Sequence, residues 1–201
     1  MSTVALKLSK LRLPIETARL TLRLPSEQDE ADLRRSFRNP RTARAVGASL
    51  HPAAERREPH LMVLRTRREF RRGEHLSLSV IDRATETCIG RVGLRGVDWK
   101  WRKVESLSYW IDPDWWNRGL ATEASWHLCD RGFEELGMRR IASQALDRNA
   151  SSSAVLRKLG FIEEGLERQA VCVNGRCMDM VLFGLLRAEL VPRSRLDNPE
   201  S

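Results

Sequence analysis

The chain has 201 residues, enough for one domain with a full hydrophobic core, and no Pro/Gly/Ser-rich linker divides it into two. Its net charge is +8, from 35 basic and 27 acidic residues. Such a field draws anionic partners such as nucleic acid, a ribosome surface or a polyphosphate cofactor, and it equally describes a solvated arginine-rich surface.

The densest basic run, Arg65-Thr66-Arg67-Arg68 with Arg71-Arg72, is interrupted by Glu69 and Phe70, which suits the wet face of a helix. Nucleic acid is therefore not the expected partner. No stretch reaches the ~18 apolar residues of a membrane span. The N-terminus lacks the apolar run of a signal peptide. The four cysteines show no CxxC or zinc spacing, and the four histidines are too scattered for a metal site. The expectation is a cytoplasmic protein, with no membrane association and no metal. Residues 1–13 and 191–201 read as loosely attached ends, the second as a flexible tail, around a domain over 14–190.

In chain order, Arg19 to Leu24 alternates polar and apolar as a half-buried strand does, and Pro25 ends it. Ser26, ahead of Glu27 and Asp29, signals a helix start, and the helix is predicted through about Phe37. A second helix spans about Ala53 to Arg72, with Leu61, Leu64 and Arg68 along one side. The period then switches to two. Leu76–Asp82 and Cys88–Leu94 form a hairpin around Ala84-Thr85-Glu86, and a third strand runs from about Glu105 to Ile111. A long helix covers about Leu120 to Leu136, closed by Gly137. The strand Arg140–Leu146, the helix Ala150–Leu159 and strands on both sides of Asn174-Gly175 complete the order. Asn-Gly is the strongest short hairpin signal in the sequence. The fold class is α/β, a single domain with a mixed, mostly antiparallel sheet and helices on its faces.

The segment richest in chemistry is Tyr109 to Ala124, YWIDPDWWNRGLATEA. A strand enters a glycine-containing turn and then a helix, whose first N–H groups and positive dipole end suit a diphosphate. Gly119 permits close approach, Ala121 leaves room, and Thr122 adds a hydroxyl. Alone, Arg118-Gly119 could equally be a tight strand-to-helix turn.

Taken together, four stretches resemble the GNAT acetyltransferase superfamily, in the branch acetylating ribosomal-protein N-termini and related amines. They are Glu16 to Arg23, YWIDPDWWNRGLATEA, Asn149-Ala150-Ser151-Ser152 with Leu159-Gly160-Phe161, and Asn174-Gly175 with Asp179. The resemblance runs from about Glu16 to Leu190. It implies acetyl-CoA as acyl donor and a sheet splayed at the acetyl-CoA site. Trp110, Ile111 and Asp112 would pair with the pantetheine arm. The N–H groups of Asn117, Arg118, Gly119, Leu120, Ala121 and Thr122 would hold the diphosphate. Asn149 would bind the pantetheine arm, and Arg118, Arg157 and Lys158 are available to the remaining phosphate charge. The implied acceptor is a primary amine, on a protein N-terminus (a ribosomal protein among the candidates) or on a small molecule. Homodimerisation is common among relatives, though no feature here demonstrates it.

The reaction needs a neutral amine, an oxyanion donor and a proton for the departing thiolate. By resemblance, a backbone N–H near Trp110 or Ile111 serves the oxyanion. The tyrosine that many members use as acid falls on Leu156, and Ser152 takes the position of the branch's serine. The usual carboxylate positions fall on Ser106 and Val171, which leaves Glu105, one residue offset, and His75 as replacement bases. These absences keep open a non-catalytic acyl-CoA-binding module on the same fold. A basic ribosome- or nucleic-acid-associated protein that does not use CoA is the third reading.

Trp110 and Trp126 are expected in the core, and Trp99 and Trp101 near the acceptor side. Acceptor-selecting loops are expected at Arg38 to Pro59 and Val97 to Lys103. Cys172 faces Cys177 across the final turn, close enough to bond, with a pair of buried reduced thiols as the preferred reading.

Overall fold

The computed structural model describes residues 8, 10–42, 59–98, 100–101, 103–173 and 175–197, without the side chains of Glu105 and Val173. Trp99, Asn174 and most of the Arg38 to Pro59 loop lie outside the described residues.

Eight strands form one sheet in the order β1-β2-β3-β4-β5-β6-β8-β7. They are β1 (Ile15–Glu16), β2 (Leu20–Arg23), β3 (Leu76–Asp82), β4 (Cys88–Asp98), β5 (Lys103–Ile111), β6 (Arg140–Leu146), β7 (Ile162–Val173) and β8 (Arg176–Leu186). Among the pairs only β5 and β6 run parallel. The helices are α1 (Glu30–Arg38), α2 (Pro59–Arg72), α3 (Leu120–Glu134), α4 (Ala150–Leu159) and α5 (Arg193–Asp197).

Alternation in the strands sends apolar side chains to both faces, and each face has its own core. Val92, Leu94 and Leu107 join Leu128 and Phe133 of α3 and Leu156 of α4 on one side. Leu33 of α1, Met62 of α2, Ile81, Cys88 and Trp110 close the other. Burial pushes the Cys88 thiol up to about 12 and that of Cys129 higher still, so both stay protonated.

The helix signal at Ser26 is realised as a 3-10 turn, Glu27–Asp29, ahead of α1. The carboxylate of Asp29 accepts from the Ser26 N–H at 3.1 Å, from Ser79 Oγ at 2.7 Å and from Arg23. In α2 the predicted Leu61–Leu64 side faces solvent, Leu64 being 61% exposed. The buried side is Pro59, Met62, Val63 and Thr66, one step around the helix.

Described residues near each end pack on the domain. Leu8 and Leu11 are buried in the core. At the other end, the Val191 N–H donates to Leu159 O at 3.1 Å and its carbonyl accepts from Trp126 Nε1 at 2.7 Å. Trp126 is half-buried rather than in the core. Cys172 and Cys177 occupy the expected register, but both are exposed and joined as a disulfide, in place of the buried reduced pair.

Candidate active site

The ladder between β5 and β6 holds only Lys103↔Arg140 and Val104↔Ile141, although both strands continue. Beyond it the strands part, with Ser143 Oγ donating to Leu107 O at 2.9 Å just past the fork. Backbone groups alternate between the two edges of a strand. The Asp112 N–H reaches Ile89 O beside β4 at 2.7 Å, while the carbonyls of Leu107 and Ile111 accept from Ser143 and Trp116 Nε1 on the opposite edge. Tyr109 and Ile111 therefore present their N–H groups to the open edge. Those of Trp110 and Asp112 turn to β4.

The expected trio divides between the two edges. Ile111 meets the gap with its N–H. Trp110 contributes its ring to the opposite face. Asp112 is occupied on three counts: its N–H, its carbonyl, which accepts from Trp115, and its carboxylate, which accepts from the Asp114 N–H at 3.0 Å.

Below the fork the chain turns into α3. Asn117 and Gly119 both have positive φ, +60° and +73°, and the second forms the helix N-cap. The first intrahelical bond runs from Glu123 N to Gly119 O, so Leu120, Ala121 and Thr122 keep N–H groups with no intrahelical partner. Arg19 braces the turn, donating to Arg118 O at 2.8 Å and pairing with Glu123 at 2.7 Å. Burial alone would raise the Glu123 carboxyl, but hydrogen bonds from Thr17 and Arg19 outweigh it and hold it below its ordinary value. Arg118 lies over the Trp115 ring at 4.9 Å. A cleft of about 460 Å³ opens here, lined by Gly119, Thr122, Arg19, Arg118, Lys158 and, from the C-terminal segment, Arg193 and Arg195. Its five cations face the single carboxylate of Glu123, a composition that suits an anion.

Asn149 caps α4, its Oδ1 accepting from the Ser152 N–H at 3.1 Å, which leaves its amide NH₂ as a donor. Ser152 is therefore not the cap. Its hydroxyl lies 3.0 Å from the Tyr109 hydroxyl, which also donates to Ser152 O at 2.9 Å. Burial pushes the Tyr109 phenol well above its ordinary range, so it stays protonated. Tyr109 escaped the sequence reading, although it is the only tyrosine in the chain and strand alternation places it opposite Trp110. Leu156, where the family's tyrosine would stand, is fully buried.

The β4–β5 register is continuous from Gly90↔Ile111 to Asp98↔Lys103, so no bulge brings Glu105 into the place of Ser106. His75 Nδ1 accepts from the Gly96 N–H at 2.9 Å, which fixes the neutral tautomer with its proton on Nε2. Trp101 is exposed, and its carbonyl accepts from Arg139.

The family model for the acetyltransferase (GNAT) domain matches residues 19–162. The chain belongs to the GNAT acetyltransferase family. It is an N-acetyltransferase, and acetyl-CoA is its acyl donor. It is similar to the uncharacterised N-acetyltransferase YoaA of Bacillus subtilis (strain 168), 28% identical over 173 residues, 86% of this chain and 96% of that protein. YdaF of the same organism, whose name proposes ribosomal N-acetylation, is 38% identical over 100 residues, half of this chain and 54% of that one. The crystal structure of Mycobacterium smegmatis RimJ with CoA-disulfide shares the fold, with a TM-score of 0.77 at 22% identity, covering 90% of this chain and 89% of that one. Among the described residues no group of His, Cys, Asp and Glu could hold a metal, and no helix is long and apolar enough to cross a membrane.

Proposed function

We propose that the enzyme transfers the acetyl group directly from acetyl-CoA to a primary amine, on a protein N-terminus or a small molecule. The observation that carries this reading is the open edge of β5, where two backbone N–H groups face a gap that leads to the α3 N-terminus. The pantetheine amides would complete the edge that β6 leaves unpaired. Ile111 N–H would serve the oxyanion, and the N–H groups of residues 117 to 122, with Lys158, would hold the diphosphate. The Asn149 amide would orient the arm, and the Ser152 hydroxyl, beside Tyr109, would protonate the departing thiolate.

An α-amine titrates near ~8 and a lysine amine near ~10.4, so the first needs far less help to become neutral. With Ser106 and Val171 at the usual carboxylate positions, and His75 Nδ1 already accepting, an α-amine is the favoured acceptor. Glu105 stands as the remaining base candidate on β5. A relative named for ribosomal N-acetylation supports a ribosomal protein among the acceptors.

Initial-velocity kinetics with both substrates varied test direct attack. Intersecting double-reciprocal lines are expected, because both substrates must be bound together. Parallel lines would indicate an acyl-enzyme and overturn the mechanism.

A further inference from the structure

On the face of β5 away from α3, the sheet carries a hollow. Ser77, Gly93 and Ser108 lie side by side on β3, β4 and β5. Three such small residues in register leave a gap beneath Arg65, Thr66 and Glu69 of helix α2. The resulting cavity, about 90 Å³, is roofed by Arg65, Thr66 and Glu69 and walled by His75, Arg91, Arg95 and Trp110.

Its lining is rich in donors and cations. Trp110 is 8% exposed, and among the described residues nothing accepts from its Nε1–H. Arg91 is 4% exposed, its guanidinium fixed by bonds to Thr66 Oγ1 and Ser77 Oγ, each 2.8 Å. His75, with Nδ1 occupied, keeps an Nε2–H. Arg65 and Arg95 add two cations, against the single carboxylate of Glu69, which pairs with Arg65 at 3.7 Å. Burying an indole N–H without an acceptor is costly, and the neighbouring guanidinium adds to the demand for one.

We propose that this cavity receives a carboxylate or phosphate of the acceptor, so the acceptor is an amine carrying an anion a few bonds away. This rests on the acetyltransferase reading above. The placement follows from β5 itself: Trp110 lines the cavity, and its neighbour Ile111 offers the N–H that would face the thioester. The cavity thus opens one residue along β5 from the backbone that would hold the thioester. The fork of a guanidinium with an indole donor matches the oxygens of an oxyanion. Polyamines and aminoglycosides, which would bring cations to Arg65, Arg91 and Arg95, are excluded by the same charges.

The test uses matched amines: β-alanine, O-phosphoethanolamine, ethanolamine, and N-terminal peptides with Glu or Gln at the second position. In wild type, kcat/KM for the anionic members exceeds that of the neutral ones by at least about tenfold, the scale of a charge-assisted hydrogen bond. Which anion wins identifies the source. Arg65→Gln and Arg91→Gln remove the preference, with acetyl-CoA affinity as the control for folding; Arg65, on the helix surface, covers the case in which the buried Arg91 variant does not fold. Calorimetry of N-acetyl-β-alanine against N-acetylethanolamine, with CoA present, reads the cavity without turnover. Tighter binding of the charged product supports the site even if every acceptor is slow. Equal binding and equal kcat/KM overturn it while leaving the acetyltransferase reading intact, whereas absence of turnover alone would count against that reading and not against the cavity.

Discussion

The hydroxyls of Tyr109 and Ser152 lie 3.0 Å apart across the mouth of the parted strands, tying the open edge of β5 to the first turn of α4. Because Tyr109 already donates to Ser152 O, the serine proton is the one free to turn toward a ligand. Ser152→Ala should lower kcat by roughly 10²-fold, the scale of a lost general acid, with acetyl-CoA affinity nearly unchanged. Tyr109→Phe should lower kcat less, because the serine survives without its orienting partner. Steady-state kinetics with parallel binding titrations separate the two effects, and equal turnover in both variants would remove the pair from the mechanism.

Gly119 sits at φ +73°, and an added Cβ would meet only Arg19 Nη2, at an ordinary contact distance of 3.6 Å, so a methyl there is opposed by the backbone conformation more than by a neighbour. The left-handed region costs a non-glycine residue about 1–2 kcal/mol. Gly119→Ala should therefore weaken acetyl-CoA binding by about tenfold, as the turn relaxes and the N–H groups of Leu120 to Thr122 lose their common aim. Calorimetric titration checks it; an unchanged affinity would detach this turn from the diphosphate.

Gly160, the C-cap of α4, presents a harsher case. At φ +98° its added Cβ would stand 2.0 Å from the backbone oxygen of Glu189. Gly160→Ala should cost about 2 kcal/mol or more, read as a lower urea midpoint at unchanged slope.

Glu123 links stability to pH. Its folded-state value lies below the ordinary 4.5, so its contribution is present above 4.5 and is lost as pH falls through the depressed value. Thermal melts of wild type and Glu123→Gln should differ at neutral pH and converge as pH drops below 4.5. A constant difference across that range would mean the pairing with Thr17 and Arg19 is not what the carboxylate contributes.

The disulfide gives a chemical count. Alkylation of the unfolded, unreduced chain should label Cys88 and Cys129 only, and reduction should expose all four thiols. Four labels without reductant would mean that Cys172 and Cys177 are held apart or reduced in solution.

Much of the fold was legible because period and punctuation agreed. The switch to alternation at Leu76, the Gly160 stop and the Asn-Gly turn each act locally, and each element stands where it was expected. Long-range facts were not legible. Nothing in the sequence says that β6 leaves β5 after two residue pairs, so the gap-facing role of Tyr109 rather than Trp110 could not be read from residue types. Which side of α2 is buried was not legible, because Leu61 and Leu64 are as apolar as Met62 and Val63, and only packing against α1 and β3 chooses between them. The cavity beside Arg91 depended on three small residues meeting across three strands, which register alone decides.

Free thiol release from acetyl-CoA, followed together with the mass of the amine, decides whether the enzyme acetylates an α-amine. Stoichiometric CoA and N-acetylated amine are expected with an α-amine acceptor, at a rate that rises with pH as the amine loses its proton near ~8. Bound acetyl-CoA with no thiol release above the acceptor-free rate, for any primary amine, would contradict this expectation.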